Sequence, residues 1–132
     1  MTASATVAFT KLIVHDLEGM AEFYRAAYGL HPVSRVRDRI AGERIDEIML
    51  SPDPEAAFGT IVLLKFVDRP ASPRGELILG FTTDDLPGLL DRVRSAGGRV
   101  HDDVREIPEH HVRVAFATDP EGHLAEIVQV LA

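Results

Sequence analysis

Apolar and polar positions change period several times along the chain, and each change marks an element. Residues 7–14 form a β-like run. Asp16 follows as a helix N-cap, able to accept from the free N–H groups of a first turn. Leu17, Met20, Ala21, Tyr24, Ala27 and Tyr28 then recur at helical spacing, and Gly29 suits a left-handed closing residue. Residues 31–39 and 44–50 read as strands joined near Ala41-Gly42, with a loop at Ser51-Pro52-Asp53-Pro54 and a strongly β-forming run over 60–67. After a connector at 69–75 the order repeats. Residues 76–83 form a strand, and Asp85 caps a helix running through Ala96 and ended by Gly97-Gly98. Strands follow at 99–105, 111–118 and 123–130, the last two joined by Asp119-Pro120-Glu121-Gly122.

The pattern is βαβββ, twice. Asp85 lies 69 residues after Asp16, and at that offset Asp16, Leu17, Gly19, Arg25, Ala27 and Gly29 meet Asp85, Leu86, Gly88, Arg94, Ala96 and Gly98. The expectation is an α+β protein, a single domain over 1–132 built of modules at 5–68 and 76–132. Each helix carries one apolar stripe and should cover one face of its sheet. The remaining faces are expected to curl around a shared cleft.

Composition narrows the function. At 132 residues with 45% apolar and 27% charged positions, the chain can build one core and reads as globular. No run approaches the roughly 20 apolar residues of a membrane span, and no secretory signal is evident, so neither membrane nor export is expected. The absence of cysteine removes disulfides, thiolate nucleophiles and zinc–thiolate sites, and fits a cytoplasmic location. A net charge of −7 repels phosphate backbones, and two tyrosines without tryptophan offer little for base stacking, so no nucleic-acid partner is expected.

The stretch Thr10-Lys11-Leu12-Ile13-Val14-His15-Asp16-Leu17, with Phe23-Tyr24-Arg25 and Gly29-Leu30, resembles the opening of the vicinal oxygen chelate superfamily. That superfamily includes glyoxalase I, bleomycin-resistance proteins and extradiol dioxygenases. The ending, Asp119-Pro120-Glu121-Gly122-His123-Leu124-Ala125-Glu126-Ile127-Val128-Gln129, resembles its closing motif. The resemblance implies a homodimer and four metal-ligand positions, one on the first and one on the last strand of each module. Counting seven residues back from the two capping aspartates gives Phe9 and Ile78. The family glutamate matches Glu126, and aligning Gly59 with Gly122 gives Leu63. Three of these side chains carry no oxygen or nitrogen donor, and a lone carboxylate holds a divalent ion weakly. No metal cofactor is therefore expected.

Glu126 shares a strand face with Leu124, Val128 and Val130, where a carboxylate must find a donor or take up a proton. It reads either as an acid/base or ligand anchor or as a remnant held by a structural hydrogen bond. Lys11 alternates with Phe9 and Ile13 and reads either as a cavity cation or as a lysine snorkelling to the rim. His111 and Arg113 share the face opposite Val112, Val114 and Phe116. If those apolar residues pack on a helix, His111 can shuttle protons and Arg113 can bind a carboxylate or enolate. The alternative is a pair of exposed edge residues. A replacement metal site of His111, His123 and Glu126 is disfavoured, because His123 and Glu126 point to opposite faces of one strand. The pleat puts Arg44 with Asp46 and Glu47 opposite, without saying which face is wet. His15, His31 and His101 fall at element ends and read as solvated, and Tyr24 and Tyr28 read as core.

The candidate set is thus Glu126 and His111 for catalysis, with Phe9, Lys11, Leu63, Ile78, Gly80 and Arg113 as ligand contacts. Three functional readings stand. One is a metal-independent lyase or isomerase acting on a small, mostly apolar organic molecule. Another is a protein that sequesters a drug or metabolite unchanged. The third is a metal-dependent glyoxalase-type lyase or dioxygenase, which the missing donors oppose.

Overall fold

A computed structural model describes residues 7–57, 59–71 and 77–132, apart from the Asp103 side chain. In chain order these form β1 (Thr10–Ile13), α1 (Leu17–Tyr28), β2 (His31–Ile40), β3 (Glu43–Ser51), β4 (Ile61–Phe66), β5 (Ile78–Thr82), α2 (Leu86–Ser95), β6 (Arg99–Ile107), β7 (Val112–Thr118) and β8 (Leu124–Val130). This is the expected α+β arrangement of two βαβββ modules. β1 starts later than the apolar run over 7–14, because among the described residues it pairs with β4, which begins at Ile61. A 3-10 turn at Pro108–His110 separates β6 from β7, where the sequence reads as a strand from residue 111. Residues 5 and 6 of module one, residues 72–75 of the connector and Glu76 lie outside the described residues.

The repeated Asp-Leu-x-Gly pattern is a capping unit. Asp16 Oδ1 accepts from the Gly19 N–H at 3.0 Å, and Asp85 Oδ1 accepts from the Gly88 N–H at 3.1 Å. A side chain on either glycine would fall onto the capping carboxylate itself. Between β2 and β3, Ala41 and Gly42 take φ of 50° and 85°. Two successive left-handed residues make the tight turn whose twist matches that of a hairpin.

By contact the chain forms two units, Met1–Ala21 with Leu30–Ala71, and Glu22–Gly29 with Ser72–Ala132. α1 is therefore divided, its first residues belonging to the first unit and its second half to the second.

The first unit has the sheet order β1-β4-β3-β2, with β1 and β4 parallel and the other pairs antiparallel. Paired residues share a face and neighbours along a strand alternate. The register thus places Leu12, Leu63, Ile48 and Arg35 on one side, and Arg35 bonds Glu18 of α1 at 3.1 Å, which identifies the helix side. Lys11, Ile13, Val62, Leu64, Glu47 and Met49 take the opposite side.

The second unit repeats the order as β5-β8-β7-β6. Its helix side carries Leu79, Phe81, Ala125, Ile127, Ala115 and Ala117. Three alanines in that row let helices approach closely. α2 buries Leu86, Leu89, Leu90 and Val93 over β6, β7 and β8. Tyr28 of α1 stacks on Phe81 with ring centroids 4.0 Å apart. Gln129 joins sheet to helix, its Oε1 accepting from the Leu86 N–H at 3.0 Å. No helix among the described residues is long and apolar enough to cross a membrane.

Gly98 lies where this packing is tightest. A Cβ there would come within 2.7 Å of the Thr118 carbonyl oxygen and of Val93 Cγ1, and within 2.9 Å of a Phe23 ring carbon. The carbonyl is backbone and cannot step aside. Gly98→Ala is expected to destabilise the protein by about 2 kcal/mol, the scale of overpacking, read as a lower urea midpoint at unchanged slope.

Candidate functional site

In the second unit one row of paired residues crosses the sheet on the side away from the helices. It runs Gly80 on β5, Glu126 on β8, Phe116 on β7 and His101 on β6. Ile78, Leu124, Val128 and Val114 share the same side. The Glu126 carboxylate is half-buried among these apolar groups and makes no side-chain hydrogen bond or ion pair among the described residues. Beside it, a Cβ added to Gly80 would meet no heavy atom within 4 Å, so there is open space next to the carboxylate. A carboxylate so placed can accept a hydrogen bond from a ligand or take a proton from it.

His101 belongs to this face, although its place at a strand start reads as solvated. It is half-buried, with Nε2 3.2 Å from Thr118 Oγ1. β6 bulges just beyond it, with Asp102 at φ 56° and a register shift before Arg105. The bulge is the signal that sequence reasoning missed, since alternation alone does not locate one.

In the first unit the side away from the helix carries an ion pair. Lys11 Nζ donates to Glu47 Oε2 at 2.9 Å, and the Glu47 side chain is only 6% exposed against 32% for Lys11. Lys11 Nζ also lies 5.8 Å from the centre of the Phe9 ring. The register resolves the charged stretch of β3. Arg44 and Asp46 are on the helix side, and Glu47 is on the Lys11 side.

Three sequence readings are corrected by register. Leu63 pairs with Leu12 and is fully buried on the helix side. Glu126 pairs with Gly80, which matches Lys11 at the repeat offset, and Lys11 pairs with Val62. Val62, not Leu63, is the counterpart of Glu126. Arg113 lies on the helix side, paired across the strand with Gln129 and bonded to Glu106 at 3.3 Å. Ala115 and Ala117 pair with Ile127 and Ala125 on the helix side, so Val112, Val114 and Phe116 turn to the Glu126 side. His111 is outside the strand altogether, an exposed left-handed residue at φ 53° that closes the 3-10 turn.

With that correction the four positions that the resemblance implies hold Phe9, Val62, Ile78 and Glu126. The set supplies a single carboxylate, which does not match the three or four donors of a protein-held divalent ion. Among the described residues, no cluster of three histidines or carboxylates capable of holding a metal occurs.

The closing motif serves a different purpose. Asp119 is buried and accepts from Tyr24 Oη at 2.7 Å, His123 Nδ1 at 2.7 Å, and the N–H groups of Glu121 at 2.9 Å and His123 at 3.0 Å. Burial pushes its carboxyl up, but the bonds from His123 and Tyr24 outweigh this and hold it below the usual carboxylate range. Burial, followed by the Asp119 charge, pushes the Tyr24 hydroxyl far up, so it stays a donor. Asp119→Ala is expected to cost about 3 kcal/mol, because it orphans several buried donors together. The lowered carboxyl stabilises the fold above the ordinary carboxylate range and ceases to do so as pH falls through its folded value. The stability advantage of wild type over Asp119→Asn should therefore be full near pH 6 and shrink below about pH 4, measured by urea titration at each pH.

The family model of the Glyoxalase/Bleomycin resistance protein/Dioxygenase superfamily matches residues 6–127. No curated protein matches the chain. Among solved structures, a glyoxalase family protein from Bacillus cereus superposes with a TM-score of 0.81 at 18% identity, covering 100% of both chains. A glyoxalase-related enzyme from Fulvimarina pelagi gives 0.66 at 24% identity over 94% of this chain and 87% of that one. Glyoxalase I from Zea mays gives 0.68 at 21% identity over 92% of this chain and 43% of that one. At these identities the likeness is one of fold.

Proposed function

Because the chain belongs to the glyoxalase/bleomycin resistance protein/dioxygenase superfamily, we propose that it binds a small, mostly apolar organic molecule without a metal, using Glu126 as its polar anchor. The observation that carries this reading is the Glu126 carboxylate itself. It is half-buried on an apolar sheet face and unpaired among the described residues, with open space over the neighbouring Gly80. Apolar walls with one fixed acceptor suit a ligand of matching character, an apolar body carrying one hydrogen-bond donor. Phe9 and Ile78, at former ligand positions, are 52% and 57% exposed and supply apolar contact rather than coordination. Lys11 is engaged by Glu47, so it serves as half of an ion pair rather than as a lone cation.

The same carboxylate supports a catalytic role. A proton on a carbon or hydroxyl of the bound molecule can pass to Glu126 and return at another atom, the balance of an isomerase, or return to the group that leaves when the electron pair expels it, the balance of a lyase. Unpaired Glu126 favours this over a purely structural remnant, since a structural carboxylate would have a donor from the protein.

The test uses backbone amide spectra of the protein titrated with aryl alcohols, amines and amides. Saturable shifts are expected at Gly80, Phe116, Leu124 and Glu126. Glu126→Gln should weaken binding about tenfold, as loss of a charged hydrogen bond does. Shifts confined to other regions, or equal affinity in the variant, would sink the proposal. If wild type turns over a bound compound and Glu126→Gln binds it without turnover, the acid–base role stands; bound compounds recovered unchanged from wild type favour sequestration. We propose further that the chain is a homodimer, as the family resemblance implies; a native mass of one chain at micromolar concentration would overturn this.

A further inference from the structure

The β2–β3 hairpin brings arginines together in a way that its own packing does not require. Arg39 and Arg44 are direct cross-strand partners, and the next pair along is Arg37 with Asp46. Like charges directly opposite on a sheet repel and destabilise the pair. All three arginines line one open groove of about 500 Å³, together with Asp38, Ile45, Asp46 and Val67.

The carboxylates nearby do not use up this charge. Asp46 is already held by two bonds from Arg35, at 3.0 and 2.8 Å, and Arg37 reaches it only at 3.5 Å. Asp68 is engaged by two bonds from Arg44. Asp38 pairs with Ile45, which puts it on the other face, and its carboxylate accepts the Arg39 backbone N–H at 2.8 Å. The Arg39 guanidinium donates to the Gly42 carbonyl at 3.1 Å and makes no direct ion pair among the described residues, although its charge reaches the Asp68 carboxylate that Arg44 holds. In a chain of net charge −7, a groove lined by three arginines, two of which each share a carboxylate already held by another arginine, stands apart.

We propose that this groove is a second ligand site, which takes a compact oxyanion, the phosphate or carboxylate group of a small molecule, between Arg37, Arg39 and Arg44. An oxyanion here gives Arg39 the direct charge partner it lacks, while Arg44 keeps Asp68. Guanidinium offers the planar fork of donors that carboxylate and phosphate oxygens accept in pairs. Lining Val67 is 43% exposed and offers an apolar wall for the remainder of such a molecule. The site lies wholly within the first unit and is independent of Glu126.

Pyrophosphate and citrate are the probes, titrated in low salt against the intact protein and followed by backbone amide shifts. Saturable shifts are expected over residues 37–46, with affinity falling as salt rises. Arg39→Gln should weaken binding about tenfold, and Arg39→Lys less than tenfold but measurably, because an ammonium keeps the charge and loses the fork. These side chains are exposed, so the melting temperature should change little in either variant. Glu126→Gln should leave pyrophosphate and citrate binding unchanged. No saturable shift in the hairpin, or equal binding by wild type and Arg39→Gln, would overturn the proposal.

Discussion

A buried carboxylate must have its oxygens satisfied, and Asp119 meets that demand by drawing three parts of the second unit to one point. The Tyr24 hydroxyl comes from α1, two N–H groups come from the turn before β8, and the His123 ring stands at the entry to that strand. With its donors present, the hydrogen bonds outweigh the cost of burying the charge, and the carboxyl stays ionised. The turn therefore has one favoured geometry, and β8 leaves it in a fixed register. That register puts Ala125 and Ile127 under the helices and Glu126 on the other side. The position of the candidate anchor follows from the burial of another acid seven residues earlier.

This explains why the most recognisable segments of the chain are quiet about chemistry. Phe23-Tyr24-Arg25 and Asp119-Pro120-Glu121-Gly122-His123 are far apart in sequence and meet in one hydrogen-bonded cluster. The Asp-Leu-x-Gly repeat is likewise a helix cap with the room its carboxylate needs. These motifs maintain an architecture that many reactions share. The candidate chemistry lies on the strands instead, at Phe9, Val62, Ile78 and Glu126 and in the Lys11–Glu47 pair.

The elements were legible in the sequence because local chemistry dictates them. Asp16 and Asp85 start the helices, Ala41-Gly42 turns a hairpin, and β-forming runs bounded by glycine and proline become strands. Faces were less legible. Val112, Val114 and Phe116 are the larger apolar residues of β7 and suggest a helix-facing row, yet the register puts Ala115 and Ala117 on the helix side, where α2 packs on β7. Counting from Gly59 placed Leu63 at the wrong parity, because a one-residue shift reverses every side chain of a strand. Glu47 and His101 were missed for related reasons. An ion pair with Lys11 across 36 positions and a bulge beyond His101 are set by tertiary pairing.

The central proposal is that the sheet face carrying Glu126 serves a ligand without a metal, since the four positions implied by the family resemblance offer one donor. Native mass spectrometry of protein purified without added metal tests it most directly. The account predicts peaks at the mass of the bare polypeptide, or its multiple, with any adduct organic. One zinc, nickel, iron or manganese ion per chain, retained through purification and lost in Glu126→Gln, would contradict it.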